Sequence, residues 1–157
     1  MTPLSRVPTF VRLLTNQRSM KIATLIDIQK SDRQTIESLY KDKLLKQTNV
    51  RTYADYTGTA EADVEDMFEE SFYLDLVNNE YKSTLTAPIH SSDFTSHPPR
   101  VLKRLEPVLA TRLSGPPFSH YRPARYFHEH FEALEAGISP ATLDRFEKAF
   151  TDLNSLL

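Results

Sequence analysis

The sequence contains no cysteine and no tryptophan, and only three glycines among its 157 residues. Without thiols there can be no disulfide, zinc–thiolate centre or cysteine nucleophile, a composition compatible with a reducing compartment. The glycines follow Thr57, Ser114 and Ala136, and no G-x-x-x-x-G-K-[ST] phosphate loop or G-x-S-x-G nucleophile elbow can be written with them. No apolar stretch approaches the roughly 18 residues of a membrane span, and the amino terminus lacks the apolar core of a secretory signal. The expectation is a cytoplasmic chain with no membrane contact. A net charge of −2 leaves no global positive field for holding nucleic acid nonspecifically, so any DNA contact must be local.

Charge is present but segregated. Over 61–80 there are eight acidic residues and no Lys or Arg, whereas 98–125 carries six basic residues and a single acid, Glu106. Two outcomes are open: an acidic patch for cations beside a basic patch for anions, or mutual neutralisation of the two stretches across a packed interface.

Hydrophobic spacing predicts a short helix over 8–17, and then a strand over 21–27 whose continuous run Ile22-Ala23-Thr24-Leu25-Ile26 suits a parallel strand covered on both faces. Ser31 and Gln34 have capping-box spacing ahead of a helix with Ile36, Leu39, Tyr40 and Leu44 on one face. A second strand over 49–53 follows at β-α-β distance, which implies parallel pairing. Thr57-Gly58-Thr59 reads as a turn, 61–68 and 72–81 as helices, and 83–99 as a long loop or linker. Leu102, Leu105 and Leu109 mark a helix that Pro107 should kink or divide. Pro123 opens another with Phe127, Phe131 and Leu134 inward. Ser139-Pro140 starts the last, where Leu143, Phe146, Phe150, Leu153 and Leu157 recur in steps of three and four, as a core stripe or a partner-helix interface.

Asp27 ends the first strand, where a parallel sheet delivers side chains to its mouth. Glu61 with Glu65, and Asp63 with Asp66, would be neighbours on a helix, and like charges so close call for a cation or for water. Oxygen ligands without thiols select Mg2+ or Mn2+. The alternatives are a simple helix cap at Asp27 and a solvated acidic helix start at 61–66. His120, Arg122 and Arg125 are candidates for phosphate contact or for pairing with the acidic stretch, and Tyr126 and Phe127 read as core. His128 and His130, two apart, would point to nearly opposite sides of a helix and do not form a metal pair.

The segments Ile22 to Asp27, Ser31 to Glu37 and Thr57 to Phe68 resemble the carboxyl-terminal Toprim region of ATP-dependent endonucleases of the overlapping-lysogenization-defect (OLD) type; Val7 to Val11 and His120 to Phe127 also look like parts of such proteins. The resemblance implies a metal-dependent DNA endonuclease linked to an AAA-type ATPase. In it Asp27 would be the catalytic and metal-holding carboxylate, and Glu61, Asp63, Glu65 and Asp66 the downstream metal ligands. Two departures stand out: Gln29 occupies the second position of the family's Asp-x-Asp pair, and no Glu-Gly turn supplies the family's first catalytic Glu.

The expected fold class is therefore α/β: a partial Toprim or Rossmann-like parallel sheet over 1–82, a linker or long loop over 83–99, and a carboxyl-terminal helical extension over 100–157. The expected function is the Toprim-like part of a DNA endonuclease, incomplete and inactive alone, a fragment or one half of a split gene. DNA would be its partner only when an ATPase/Toprim segment or companion chain completes it, with oligomerisation left open. Arg122 and Arg125 would be phosphate contacts. The rivals are a noncatalytic interaction module or decayed remnant retaining the fold, and a receiver-like domain phosphorylated on Asp27, which lacks the adjacent acidic pair.

Overall fold

The computed structural model describes residues 21–27, 37 and 49–157. They form a mixed α/β structure with a two-stranded parallel sheet. The helices expected over 8–17 and 31–46 lie outside the described residues, apart from Glu37. Contacts divide the chain into two compact units, one of residues 1–63 and 145–157 and the other of residues 64–144.

In the first unit, β1 (Thr24–Ile26) pairs in parallel with β2 (Val50–Thr52), with Thr24 opposite Val50 and Ile26 opposite Thr52. The Asn49 side chain extends this pairing by donating to the Ile22 carbonyl at 3.1 Å. Asp55 accepts from the Thr52 backbone N–H at 2.8 Å and from the Thr52 hydroxyl at 3.1 Å, which fixes the chain entering α1 (Ala54–Thr57). Gly58 closes that helix in the left-handed region at φ 71°, a conformation glycine adopts without a Cβ penalty. Tyr56 is buried, and burial followed by the nearby Asp152 carboxylate raises its phenol pKa.

The second unit is helical. The expected helix over 61–68 is replaced by one short 3-10 turn, Val64–Met67, with Met67 buried and Val64 exposed. After it come α2 (Glu70–Glu80), α3 (Val101–Arg112), α4 (Tyr121–Glu129) and α5 (Phe131–Leu134). The core joins Tyr73, Leu74, Val77 and Tyr81 of the α2 segment to Val101, Leu102, Leu105 and Leu109 of α3, each no more than 4% exposed. Phe68, Phe72 and Phe127 extend it as a triangle of rings 5.7–5.9 Å apart, which ties α2 to α4. Pro107 does not divide α3. Pro107 is exposed, so its ring lies on the face of α3 away from the core.

The segment 83–99 is irregular, as its composition indicates, but it belongs to the same compact unit as α2 and α3. Ile89 is buried with both backbone groups held by the Asn78 amide at 2.8 and 2.9 Å. Arg112 clamps Asp93 through two hydrogen bonds of 2.6 and 2.7 Å and donates to the Pro88 carbonyl at 2.8 Å. The unit boundaries fall at 63/64 and 144/145.

The last helix, α6 (Pro140–Ser155), starts where expected, with the Ser139 hydroxyl accepting from the Thr142 N–H at 3.1 Å. Its inward face differs from the spacing-based expectation. Thr142 and Ala149 are buried, whereas Leu143 and Phe150 are 55% and 57% exposed; Phe131, also expected inward, is 45% exposed. No helix among the described residues is long and apolar enough to cross a membrane.

Candidate functional site

Asp27 stands exposed directly after β1, at the carboxyl end of a parallel strand where α/β sheets place their sites. Gln29, the expected second ligand position, lies outside the described residues. Glu61 is half-buried and Asp63 is 2% exposed, both on the chain that leaves Gly58.

Glu65, Asp66, Glu70 and Glu80 have structural partners. Asp66 accepts a hydrogen bond from the Val101 N–H at 2.7 Å. The sequence before α3, Pro99-Arg100, offers no capping side chain, and Arg100 makes no side-chain cap. A carboxylate 35 residues away fills that role, satisfying an orphan N–H and placing negative charge at the positive end of the helix dipole. Glu65 meets the His120 Nδ1 at 3.3 Å, and Glu70 pairs with the Arg104 guanidinium at 2.8 Å.

Glu80 has two arginine partners. Its side chain is 8% exposed and one oxygen, Oε1, accepts from the Arg122 Nε at 2.6 Å and from the Arg125 Nη2 at 3.4 Å. Arg122 also lies 4.3 Å over the Tyr81 ring, a cation–π arrangement. The Tyr81 hydroxyl in turn accepts from the Ser119 N–H at 2.9 Å and donates to the Ser119 carbonyl at 3.3 Å, which holds the chain entering α4. Of the two outcomes open for the charge blocks, mutual neutralisation is the one seen within this unit. Sequence reasoning counted Glu80 among the acids without finding this role, because its partners lie more than forty residues away.

Magnesium and manganese need converging oxygen ligands. Among the described residues, no three His, Asp or Glu side chains gather into a group that could hold a metal. Asp27, Glu61 and Asp63 belong to the first unit, and Glu65 and Asp66 to the second. The second unit also has a cleft of about 420 Å3, lined by Leu109, Leu113, Pro116 and Phe118 with Glu106 and His120.

Compared with protein-family models, curated proteins and solved structures, the chain matches none.

Proposed function

We propose that this chain is the carboxyl-terminal, Toprim-like part of an OLD-type, ATPase-linked DNA endonuclease, unable to cleave by itself. The observation that supports this reading is the placement of Asp27, an exposed carboxylate immediately after a strand in an in-register parallel pair. In this proposal Asp27 is the carboxylate the chain contributes to a magnesium or manganese site, and the other ligands come from residues beyond the described ones or from a companion chain. The sheet is then part of a Toprim or Rossmann-like arrangement in a cytoplasmic protein. Arg122 and Arg125 are its phosphate contacts.

A second reading is favoured by a specific observation: Glu65, Asp66, Glu70 and Glu80 all have partners inside the helical unit. On that reading the chain is a noncatalytic module that retains the fold and docks onto a partner. Assays of the purified chain with DNA, ATP and manganese separate both readings from an autonomous enzyme. The expected outcome is neither cleavage nor ATP turnover. Cleavage that persists through purification and disappears in Asp27→Asn would show that the chain is a complete nuclease.

A further inference from the structure

The two arginines proposed as phosphate contacts converge on a single carboxylate oxygen, Oε1 of Glu80, at 2.6 and 3.4 Å. Arg122 is 30% and Arg125 44% exposed, while Glu80 is 8% exposed, so the guanidinium groups reach solvent and the carboxylate lies beneath them. Glu129, one helical turn beyond Arg125, approaches it at 3.7 Å from the surface side. Two guanidinium groups directed at one anionic oxygen form the donor arrangement that binds a phosphate.

We propose that Glu80 is a built-in competitor for an anion site formed by Arg122 and Arg125, its Oε1 occupying the place of a phosphate oxygen. The inference rests on the reading of these arginines as phosphate contacts and adds a regulatory element to it. Phosphate binds weakly while Glu80 is in place, and any partner or modification that draws the carboxylate away exposes the site. Arg122 has a second contact besides Glu80, its guanidinium lying 4.3 Å over the Tyr81 ring.

The test is titration of the full chain with inorganic phosphate at constant ionic strength, followed through the backbone amide resonances of Tyr81 and Ser119, which every variant retains. Glu80→Gln keeps the side-chain shape and removes the charge, and should tighten phosphate binding about five- to tenfold over wild type, with no such gain for chloride. The gain should vanish in the triple variant Glu80→Gln/Arg122→Gln/Arg125→Gln. A folded Glu80→Gln protein that binds phosphate no better than wild type overturns the proposal, as does a gain that survives in the triple variant. Should Glu80→Gln fail to fold, Glu129→Gln must show a smaller gain in the same direction; no gain there overturns it equally. A parallel titration with a short single-stranded oligodeoxynucleotide separates the two levels of inference. Improved phosphate binding without improved oligonucleotide binding keeps the anion site and removes DNA as its ligand. Oligonucleotide binding by wild type that is indifferent to Glu80→Gln removes the competitor and leaves the nucleic-acid reading standing.

Discussion

In the strand-bearing unit Asp27 is exposed directly after β1, whereas in the helical unit the side chains of Glu65 and Glu80 are only 12% and 8% exposed and, with Asp66 and Glu70, meet donors from the basic stretch. The same residue type therefore differs in exposure between the two places, decided by how the chain packs around it. A carboxylate at a strand end has a sheet mouth in front of it. One on a helical surface packed beside an arginine-rich segment becomes a cap or an ion pair. A dense acidic run is thus poor evidence for a metal site until the opposing surface is known.

The largest effect that sharpens this comparison is in the helical core. Leu105 of α3 is 0% exposed, and Leu105→Ala should cost about 2–5 kcal/mol. Thermal or urea unfolding measures it, with the loss confined to the helical unit if the two units unfold separately. Asp66→Ala comes next. If Asp66 is the remote cap of α3, its removal should destabilise by about 0.5–2 kcal/mol, with faster amide exchange at Val101. If its main effect is repulsion from Glu65 and its neighbours, the same change should leave stability equal or higher, which would break the comparison.

A smaller, pH-dependent effect is expected at Asp93. Its hydrogen bonds from Arg112, then from the His90 backbone, lower its pKa from 3.8 to about 2. A depressed carboxylate pKa contributes stability that is complete above the unfolded value and is lost as pH falls through the folded value. The segment 83–99 should therefore loosen between about pH 4 and pH 2, seen as faster exchange at Ile89 and His90, and Asp93→Asn should loosen it already at neutral pH while flattening that dependence. The smallest effects belong to α6, where Leu143→Ala and Phe150→Ala, at exposed positions, should each change stability by less than about 0.5 kcal/mol. A loss several times larger would mean that this face is covered in solution.

What was legible in the sequence was local. The parallel pair followed from one apolar run and β-α-β spacing, α3 from Leu102, Leu105 and Leu109, and the start of α6 from Ser139-Pro140. The turn at Gly58 was read from its residue types, and its positive φ agrees. The features that were not legible depend on partners remote in the chain. Periodicity shows that a helix has an apolar stripe but not which edge of it is covered: Leu143 and Phe150 lie on the stripe and are exposed, while Ala149 and Thr142 are buried. The 61–68 segment looked helical by spacing, yet Asp66 turns to the start of α3, and only one 3-10 turn forms. For the same reason the sequence marks Arg122 and Arg125 as donors to a phosphate or to an acid, with nothing in it to single out Glu80.

The central claim is that Asp27, and not the acidic stretch of the helical unit, is the carboxylate this chain offers to a divalent cation. Titration with Mn2+ followed by paramagnetic broadening of amide resonances tests it directly. The account predicts weak broadening centred on the residues beside Asp27 and abolished by Asp27→Asn, while the amides of Glu65, Asp66 and Glu70 stay sharp. Broadening centred on Glu65 to Glu70 and unchanged by Asp27→Asn would contradict it.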